Sequence, residues 1–216
     1  MRATVAEFMG TGLLAATVLG AIHSATGMAM GNQALALLPT SLAVGAMLAM
    51  LIALFGPVSG GHLSPAVTLM FRLRGEISTR RALLHCLAQV LGAVAGAMAF
   101  HAMFGFPLIQ MATTARSGAG LWLSEFLATG ALVLVISGAL AARPALVPLL
   151  VGLLTMAGYW FFASTGFTNP AITLARAISN TAGGMQPGDI PAYVAVQIAA
   201  VVLATPLAKW LFNPRN

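Results

Sequence analysis

The sequence predicts an all-α membrane protein with six transmembrane helices and two re-entrant half-helices, arranged as inverted three-helix repeats. Of its 216 residues, 59% are hydrophobic and 6% are charged, whereas a soluble domain carries about 25% charged residues. A short motif also occurs twice, as GHLSPAVTL at residues 61–69 and GFTNPAITL at residues 166–174. Each copy places Ser or Asn, a preferred N-cap, before Pro, which is favoured at the first helical position. Each copy therefore predicts a helix start.

Six apolar segments are long enough to cross a hydrocarbon core about 30 Å thick, which requires about 20 residues per helix. They cover approximately residues 4–24, 35–56, 80–105, 119–141, 144–164 and 189–212. Two further apolar segments, at about 64–72 and 169–179, are too short to cross. Backbone that enters a membrane without spanning it has to be surrounded by protein or water, because unpaired peptide groups are costly in lipid. Both short segments are therefore expected inside the bundle.

The chain is predicted to be an internal duplication within a single channel-like domain, residues 1–216. Residues 6–12 align with 124–130 at an offset of 118, and the two helix-start motifs are 105 residues apart. The first repeat covers about 1–110 and the second about 118–216. Each repeat contains three spans, an odd number, so the second copy is inverted relative to the first. Inverted repeats place a functional site at their interface near mid-membrane.

The basic residues predict the orientation of the chain. By the count of spans, eight of the ten fall on one side: Arg2, Arg72, Arg74, Arg80, Arg81, Arg143, Lys209 and Arg215. Arg116 and Arg176 fall on the other side. The positive-inside rule assigns the richer side to the cytoplasm, which predicts cytoplasmic termini in a multi-pass protein of the inner (cytoplasmic) membrane. Basic residues at the membrane edges account for the formal charge of +6, and no nucleic-acid partner is expected.

Several polar residues are predicted to lie within the bundle. Glu7 and Glu125 occupy equivalent positions in spans one and four, and an intramembrane carboxylate is either paired or functional. We expect them to bond the half-helix entry loops, with proton transfer as the alternative. Gln89 and Gln197 are expected to form hydrogen bonds between helices beside the half-helices. His62 is expected to anchor its loop or line the cytoplasmic pore mouth, and the sequence predicts no metal site.

These features together resemble the aquaporin or major intrinsic protein family. The resemblance is carried by Glu-Phe-x-x-Thr early in each half, by residues 59–68 and by residues 165–171, and it extends over essentially the whole chain. It implies a homotetramer in the lipid bilayer, with a separate pore in each monomer. It also implies a passive channel for water or small uncharged solutes, without a cofactor or enzymatic activity.

The resemblance assigns the pore centre to the two helix-start motifs. They comprise Ser64, Pro65 and Ala66 in the first copy, and Asn169, Pro170 and Ala171 in the second. In the family, the asparagine of each motif donates amide hydrogens to the solute, while the half-helix dipoles repel protons and cations. Asn169 fits this role. Ser64 departs from it, because a hydroxyl offers one donor where an amide offers two.

A second departure concerns the selectivity filter. In most family members an arginine directly follows the second motif, where this chain has Ile172. Spacing from the motifs places the other filter positions at Val44, at Ala157 or Gly158, and at Phe167. None of these is charged, so a wide, apolar constriction is expected. Arg176, one turn past Ile172, is expected in the external vestibule, either as a displaced filter arginine or as a snorkelling cation.

A wide, apolar filter resembles that of the aquaglyceroporins, in particular the bacterial branch associated with arsenic resistance. It predicts passage of glycerol-like polyols, of neutral metalloid hydroxides such as arsenous acid, of methylated arsenicals and of water. One alternative is a channel mainly for water. Another is a secondary transporter, which shares inverted repeats and broken helices but would need more ionisable groups at mid-membrane. An intramembrane enzyme is disfavoured, because the sequence offers no nucleophile–base pair or metal set.

Overall fold

The computed structural model describes residues 1–212, and their helices follow the predicted spans closely. The helices are α1 Arg2–Met28, α2 Gln33–Ser59, α3 Pro65–Leu73, α4 Thr79–Met103, α5 Ala119–Ala142, α6 Val147–Phe161, α7 Pro170–Ala175 and α8 Ile190–Leu211. Short 3₁₀ turns precede α6 and α8, and another extends α7 to Ile178. Six helices of the described part have the length and hydropathy to cross a membrane. The all-helical prediction is confirmed. Arg215, used above to predict orientation, lies outside the described residues.

Local sequence accounts for where helices α2 and α4 begin and end. Asn32 precedes α2, and its side chain accepts hydrogen bonds from the backbone amides of Ala34 and Leu35. Ser78 caps α4 in the same way by accepting from the Arg81 amide. Gly60 follows the last residue of α2 and caps the helix, and its φ of 98° lies in the left-handed region that glycine adopts without strain.

The spanning helices pack as two equivalent groups. Helix α1 packs against α2 and α4, and α5 packs against α6 and α8. Glycines bring α1 and α4 into backbone contact: a Cβ atom on Gly96 would lie 2.0 Å from the carbonyl oxygen of Gly12. A Cβ atom on Gly92 would lie 2.2 Å from the carbonyl oxygen of Phe8. Gly92 and Gly96 therefore form a small-residue packing face between α4 and α1, since no larger residue fits without a shift of the backbone.

The half-helices α3 and α7 lie inside the bundle, where each contacts both α4 and α8. The C-terminus of α3 contacts α8, where Lys209 Nζ donates to the Leu73 carbonyl at 3.2 Å. We call this side, which also carries Arg2 and Arg80, the terminal face. On the opposite face, residues 104–118 run along the segment after α7. Backbone bonds there join Gln110 to Ile178 at 2.9 Å.

Candidate functional site

A cavity of about 130 Å³ passes the N-termini of both half-helices. From the terminal face to the opposite face, its wall includes Phe71, His62, Ser64, Asn169, Phe167 and Arg176. Apolar side chains from α1, α2, α5 and α6 complete the wall, among them Leu14, Ile52 and Leu132. The cavity is therefore built by both halves of the chain and is predominantly apolar on either side of its polar centre.

At the centre, each half-helix is capped by the residue that begins its motif. Ser64 Oγ accepts a hydrogen bond from the Ala66 amide at 3.2 Å. Asn169 Oδ1 accepts from the Ala171 amide at 3.0 Å and from the Ile172 amide at 3.4 Å. The prolines of the two motifs, Pro65 and Pro170, each occupy the first helical position. The motif residues thus begin two helices whose N-termini both line the cavity.

The two caps also bond across the centre to the opposite loop. Asn169 Nδ2 donates to the Leu63 carbonyl at 2.8 Å, and Ser64 Oγ donates to the Thr168 carbonyl at 3.4 Å. A serine hydroxyl has one proton, whereas the asparagine amide has two. Within residues 1–212, these contacts therefore use the only donor of Ser64 but leave Asn169 a second hydrogen. Ser64 is consequently a structural cap, and the donor capacity at the centre is asymmetric.

Glu7 holds the loop that leads into α3. Its fully buried carboxylate accepts from the His62 amide at 3.0 Å and from the Leu63 amide at 2.7 Å. The Ser59 hydroxyl donates to it at 2.6 Å and Gln89 Nε2 at 2.7 Å. Four donors therefore converge on one side chain.

Glu125 repeats this arrangement for the loop that leads into α7. It accepts from the Phe167 amide at 2.7 Å, from the Thr168 amide at 3.0 Å and from Gln197 Nε2 at 2.8 Å. Thr168 has a φ of 49°, and the equivalent Leu63 has a φ of 51°. A non-glycine residue in the left-handed region costs of order 1 kcal/mol or more. The two carboxylates therefore accept hydrogen bonds from the amides of this strained backbone.

His62 lies in the cavity wall nearest the terminal face. Its ring stacks on Phe71 with centroids 4.4 Å apart, and its Nδ1 lies 3.1 Å from Thr68 Oγ1. The ring of His85 meets it edge-on at 5.4 Å. Within residues 1–212 there is no group of three or more His, Cys, Asp or Glu side chains that could hold a metal. His62 therefore combines the two roles that were expected as alternatives: it anchors the loop and lines the cavity.

Arg176 is not at the membrane edge. Its side chain is 3% exposed and lines the same cavity as Phe167 and Ile172. The guanidinium carbon lies 3.6 Å from the centroid of the Phe167 ring, and Nη1 donates to the Gly183 carbonyl at 2.8 Å. The snorkelling interpretation is wrong, because these contacts direct the side chain into the protein. The expected constriction was wide and apolar; its apolar part needs correction, because the Arg176 guanidinium lines the cavity beside Phe167.

The predicted span-five positions also need correction. Ala157 is exposed on the outer surface of α6, and neither it nor Gly158 lines the main cavity. The residues of α6 that do so are spaced four apart: Val147, Val151, Thr155 and Tyr159. Counting residues back from the second motif therefore gave the wrong face of α6. The periodicity of α6 itself would have identified Thr155 and Tyr159. Val44 does line the cavity and packs in one buried cluster with Tyr159 and Ile172.

A second arginine, which the sequence did not connect with the site, also lies near Phe167. The guanidinium carbon of Arg116 lies 5.7 Å from the Phe167 centroid, and its Nε donates to the Gly184 carbonyl at 2.9 Å. Burial lowers the pKa of this loop residue, an effect that nearby Tyr193 opposes. Two cations therefore lie within about 6 Å of one aromatic ring towards the opposite face, an arrangement that favours electron-rich groups over cations.

Comparison with known proteins agrees with this architecture. Residues 1–163 match the family described as Major intrinsic protein. The chain is also 43% identical over 213 residues to Aquaglyceroporin AqpS of Rhizobium meliloti (strain 1021), covering 99% of this chain and 91% of that protein. The chain belongs to the major intrinsic protein family. Aquaporin PIP2-5 of Zea mays is a more distant member, 33% identical over 174 residues, with 70% of this chain and 61% of the relative covered.

A solved structure supports the fold. The aquaglyceroporin from Plasmodium falciparum superposes with a TM-score of 0.76, covering 99% of this chain and 96% of that chain at 19% identity. At that identity the likeness shows the fold alone. Family membership makes this protein a multi-pass membrane channel for water and small solutes rather than an enzyme. The residues that select its solute are a separate question.

Proposed function

We propose that this channel passes small uncharged solutes passively: glycerol-like polyols, neutral metalloid hydroxides such as arsenous acid, methylated arsenicals, and water. The observation that carries the proposal is the cavity beside Asn169, which is apolar on both sides of one free amide donor. The transfer of a neutral hydroxylated solute from water into such a pore costs little free energy, because its oxygen accepts a hydrogen bond from that donor at mid-membrane. The 43% identical relative, which is named an aquaglyceroporin, supports the same solute class.

The centre of the pore is proposed to exclude ions. The N-termini of α3 and α7 both contribute to the cavity wall, and each helix N-terminus carries a partial positive charge. A cation or a hydrated proton is repelled there, whereas the hydroxyl oxygen of a neutral solute accepts from Asn169. Ser64 supports α3 without offering a second donor. Solutes that need two adjacent donors gain less here than in a pore with two asparagines.

We propose that Val44, Tyr159, Phe167, Ile172 and Arg176 form the selectivity filter. The isoleucine leaves the position after the second motif apolar, and the arginine is drawn aside by its contact with Phe167. The guanidinium carbon lies 3.6 Å from the Phe167 centroid, so this part of Arg176 lies against the wall that Phe167 forms. The proposed filter is therefore wide and has a positively charged wall at Arg176. Such a filter suits polyols and neutral hydroxides, because their oxygen atoms can accept hydrogen bonds from the guanidinium.

Two alternatives make different predictions. A channel mainly for water is favoured by the polar groups of Tyr159 and Arg176 in the wall, because water gains from donors and acceptors. A proton-coupled carrier is disfavoured, because Glu7 and Glu125 are already occupied by backbone and glutamine donors. Flux that ignores a pH gradient separates a channel from a coupled carrier.

We also propose that the terminal face is cytoplasmic, that the protein resides in the inner membrane and that it assembles as a homotetramer. Arg2, Arg80 and Lys209 on the terminal face support this orientation by the positive-inside rule. Large exposed apolar side chains along the spanning helices, such as Leu38, Leu54 and Leu127, provide surface for lipid and for neighbouring subunits.

The test is a light-scattering swelling assay in proteoliposomes with water, glycerol, urea and arsenous acid compared side by side. Empty liposomes supply the background, and an imposed pH gradient supplies the arm for coupled transport. We expect glycerol and arsenous acid fluxes well above background, linear in concentration and unaffected by the gradient. Water flux alone would support the water-channel alternative. Saturable flux that follows the pH gradient would contradict the passive mechanism.

A further inference from the structure

A basic groove lies on the terminal face, apart from the pore. It has a volume of about 610 Å³ and lies between the first turns of α1 and α4. Arg2, Arg80 and Arg81 line it together with His85 and the apolar Leu84. Both helices enter the membrane at this level, so the groove is at the boundary between lipid and water. It shares no arginine with the cavity described above.

The positive charge of this groove is not neutralised by the acidic side chains of residues 1–212. The sequence has four acidic residues, and each is engaged or distant. Glu7 and Glu125 are buried in the half-helix scaffolds, and Glu76 forms an ion pair with Arg74. Asp189 binds the Arg116 amide beyond the opposite end of the bundle. Three arginines thus face a groove with no carboxylate among the described side chains.

Two further features of the groove favour an anion. Helix α1 has no side-chain cap and no acidic residue in its first turn, so the amides of that turn are available to an acceptor. The His85 side chain is 1% exposed, and its Nδ1 has no hydrogen-bond partner among the described residues. A buried imidazole nitrogen without a partner is a further unused polar group at the inner wall.

The outer faces of α1 and α4 continue the groove with apolar surface. Phe8 on α1 is 40% exposed, and Leu84 and Leu87 on α4 are 44% and 57% exposed. A soluble phosphate would use the arginines but gain nothing from these side chains. A phospholipid uses both, because its headgroup meets the cations while its acyl chains cover the apolar surface.

We propose that this groove binds the phosphodiester headgroup of an anionic phospholipid, one per chain, in the leaflet at the terminal face. The ligand accepts from the guanidinium groups of Arg2, Arg80 and Arg81, and its net negative charge distinguishes it from a zwitterionic lipid. Each basic residue near a membrane surface contributes to anionic-lipid binding by an amount equivalent to about fivefold in affinity. Removal of two arginines should therefore weaken binding about 25-fold.

The experiment titrates the purified full-length protein in detergent with dioctanoyl phosphatidylglycerol, dioctanoyl phosphatidylcholine or inorganic phosphate. Binding is counted by native mass spectrometry, and the thermal unfolding midpoint is followed by tryptophan fluorescence. We expect the phosphatidylglycerol to bind with one tight site per chain and to raise the midpoint. Phosphatidylcholine and inorganic phosphate should each bind at least tenfold more weakly.

The variants are Arg2→Gln/Arg80→Gln and a matched control, Arg143→Gln/Lys209→Gln. The control removes the same charge from the terminal face but outside the groove. Among the described residues, the side chains of Arg2, Arg80 and Arg143 make no hydrogen bond or ion pair. Lys209 makes one exposed bond, to the Leu73 carbonyl at 3.2 Å, so both proteins should fold. The groove variant should lose about 25-fold in phosphatidylglycerol affinity and the control less than about threefold. Equal losses in the two variants, equal binding of the two lipids, or equally tight binding of phosphate would overturn the proposal.

Discussion

Replacement of Glu125 by alanine tests the scaffold that holds the second half-helix. The change removes the acceptor of three buried donors, the Phe167 and Thr168 amides and Gln197 Nε2. Gln197 retains a contact with Thr173 Oγ1 at 3.2 Å, so its amide can still be satisfied. The two backbone amides have no such substitute, because the loop geometry fixes their direction.

The magnitude follows from those two amides. A buried donor left without a partner costs about 1–3 kcal/mol, so Glu125→Ala should destabilise the protein by about 2–6 kcal/mol. A typical folded domain is stable by about 5–15 kcal/mol, and the loss is a large part of that. Thr168 also loses the contact that holds it at a positive φ, so the loop should relax to another conformation and narrow or block the pore.

The assay is the yield of folded protein by size-exclusion chromatography together with solute flux per folded protein. Glu125→Gln is the matched control, since it keeps one acceptor oxygen and the same volume, and it should give an intermediate loss. We expect Glu125→Ala to lower both yield and flux strongly. A normally folded alanine variant whose flux differs only in its pH dependence would refute the scaffold argument and indicate that this carboxylate handles protons.

Two further substitutions test the centre and the helix packing. Ser64→Asn should fold and change flux only a few-fold in swelling assays, whereas Ser64→Val removes a cap worth about 1 kcal/mol and the bond to Thr168, so expression should fall more than selectivity. A large change of selectivity at normal expression would contradict the capping role. Gly96→Ala should sharply reduce folded protein, because its Cβ would lie 2.0 Å from the Gly12 carbonyl, whereas Gly130→Ala meets nothing within 4 Å. Equal yields of the two alanine variants on size exclusion would contradict direct backbone contact.

The sequence was sufficient to predict most of the fold. Span boundaries follow from apolar length, and the half-helix starts follow from Ser64-Pro65 and Asn169-Pro170, since both signals are local along the chain. The Gly92 and Gly96 pair is typical of a closely packed membrane helix, but only the structure identifies α1 as the partner of α4. The predicted features depend on periodicity and capping rather than on long-range geometry.

The filter was less predictable, because its members come from four separate segments. Counting residues back from the second motif failed at α6, because such a count does not show which face of a helix meets the pore. The position of Arg176 was ambiguous for a different reason. A cation one turn beyond Ile172 can extend to the membrane edge or fold inward, and the choice depends on Phe167 and on the Gly183 carbonyl. Those partners are known only once the loops are placed.

The most direct test of the proposed wide filter is the ratio of glycerol and arsenous acid permeability to water permeability in Ile172 variants. Ile172→Arg adds five donors and a bulky cation, and Ile172→Phe adds bulk without charge. Ile172→Leu is the volume-conserving control. In proteoliposomes with matched amounts of folded protein, we expect the first two changes to lower the ratio several-fold or more and the control to leave it unchanged. An unchanged ratio in both the arginine and phenylalanine variants would contradict the account, because Ile172 would then not line the constriction.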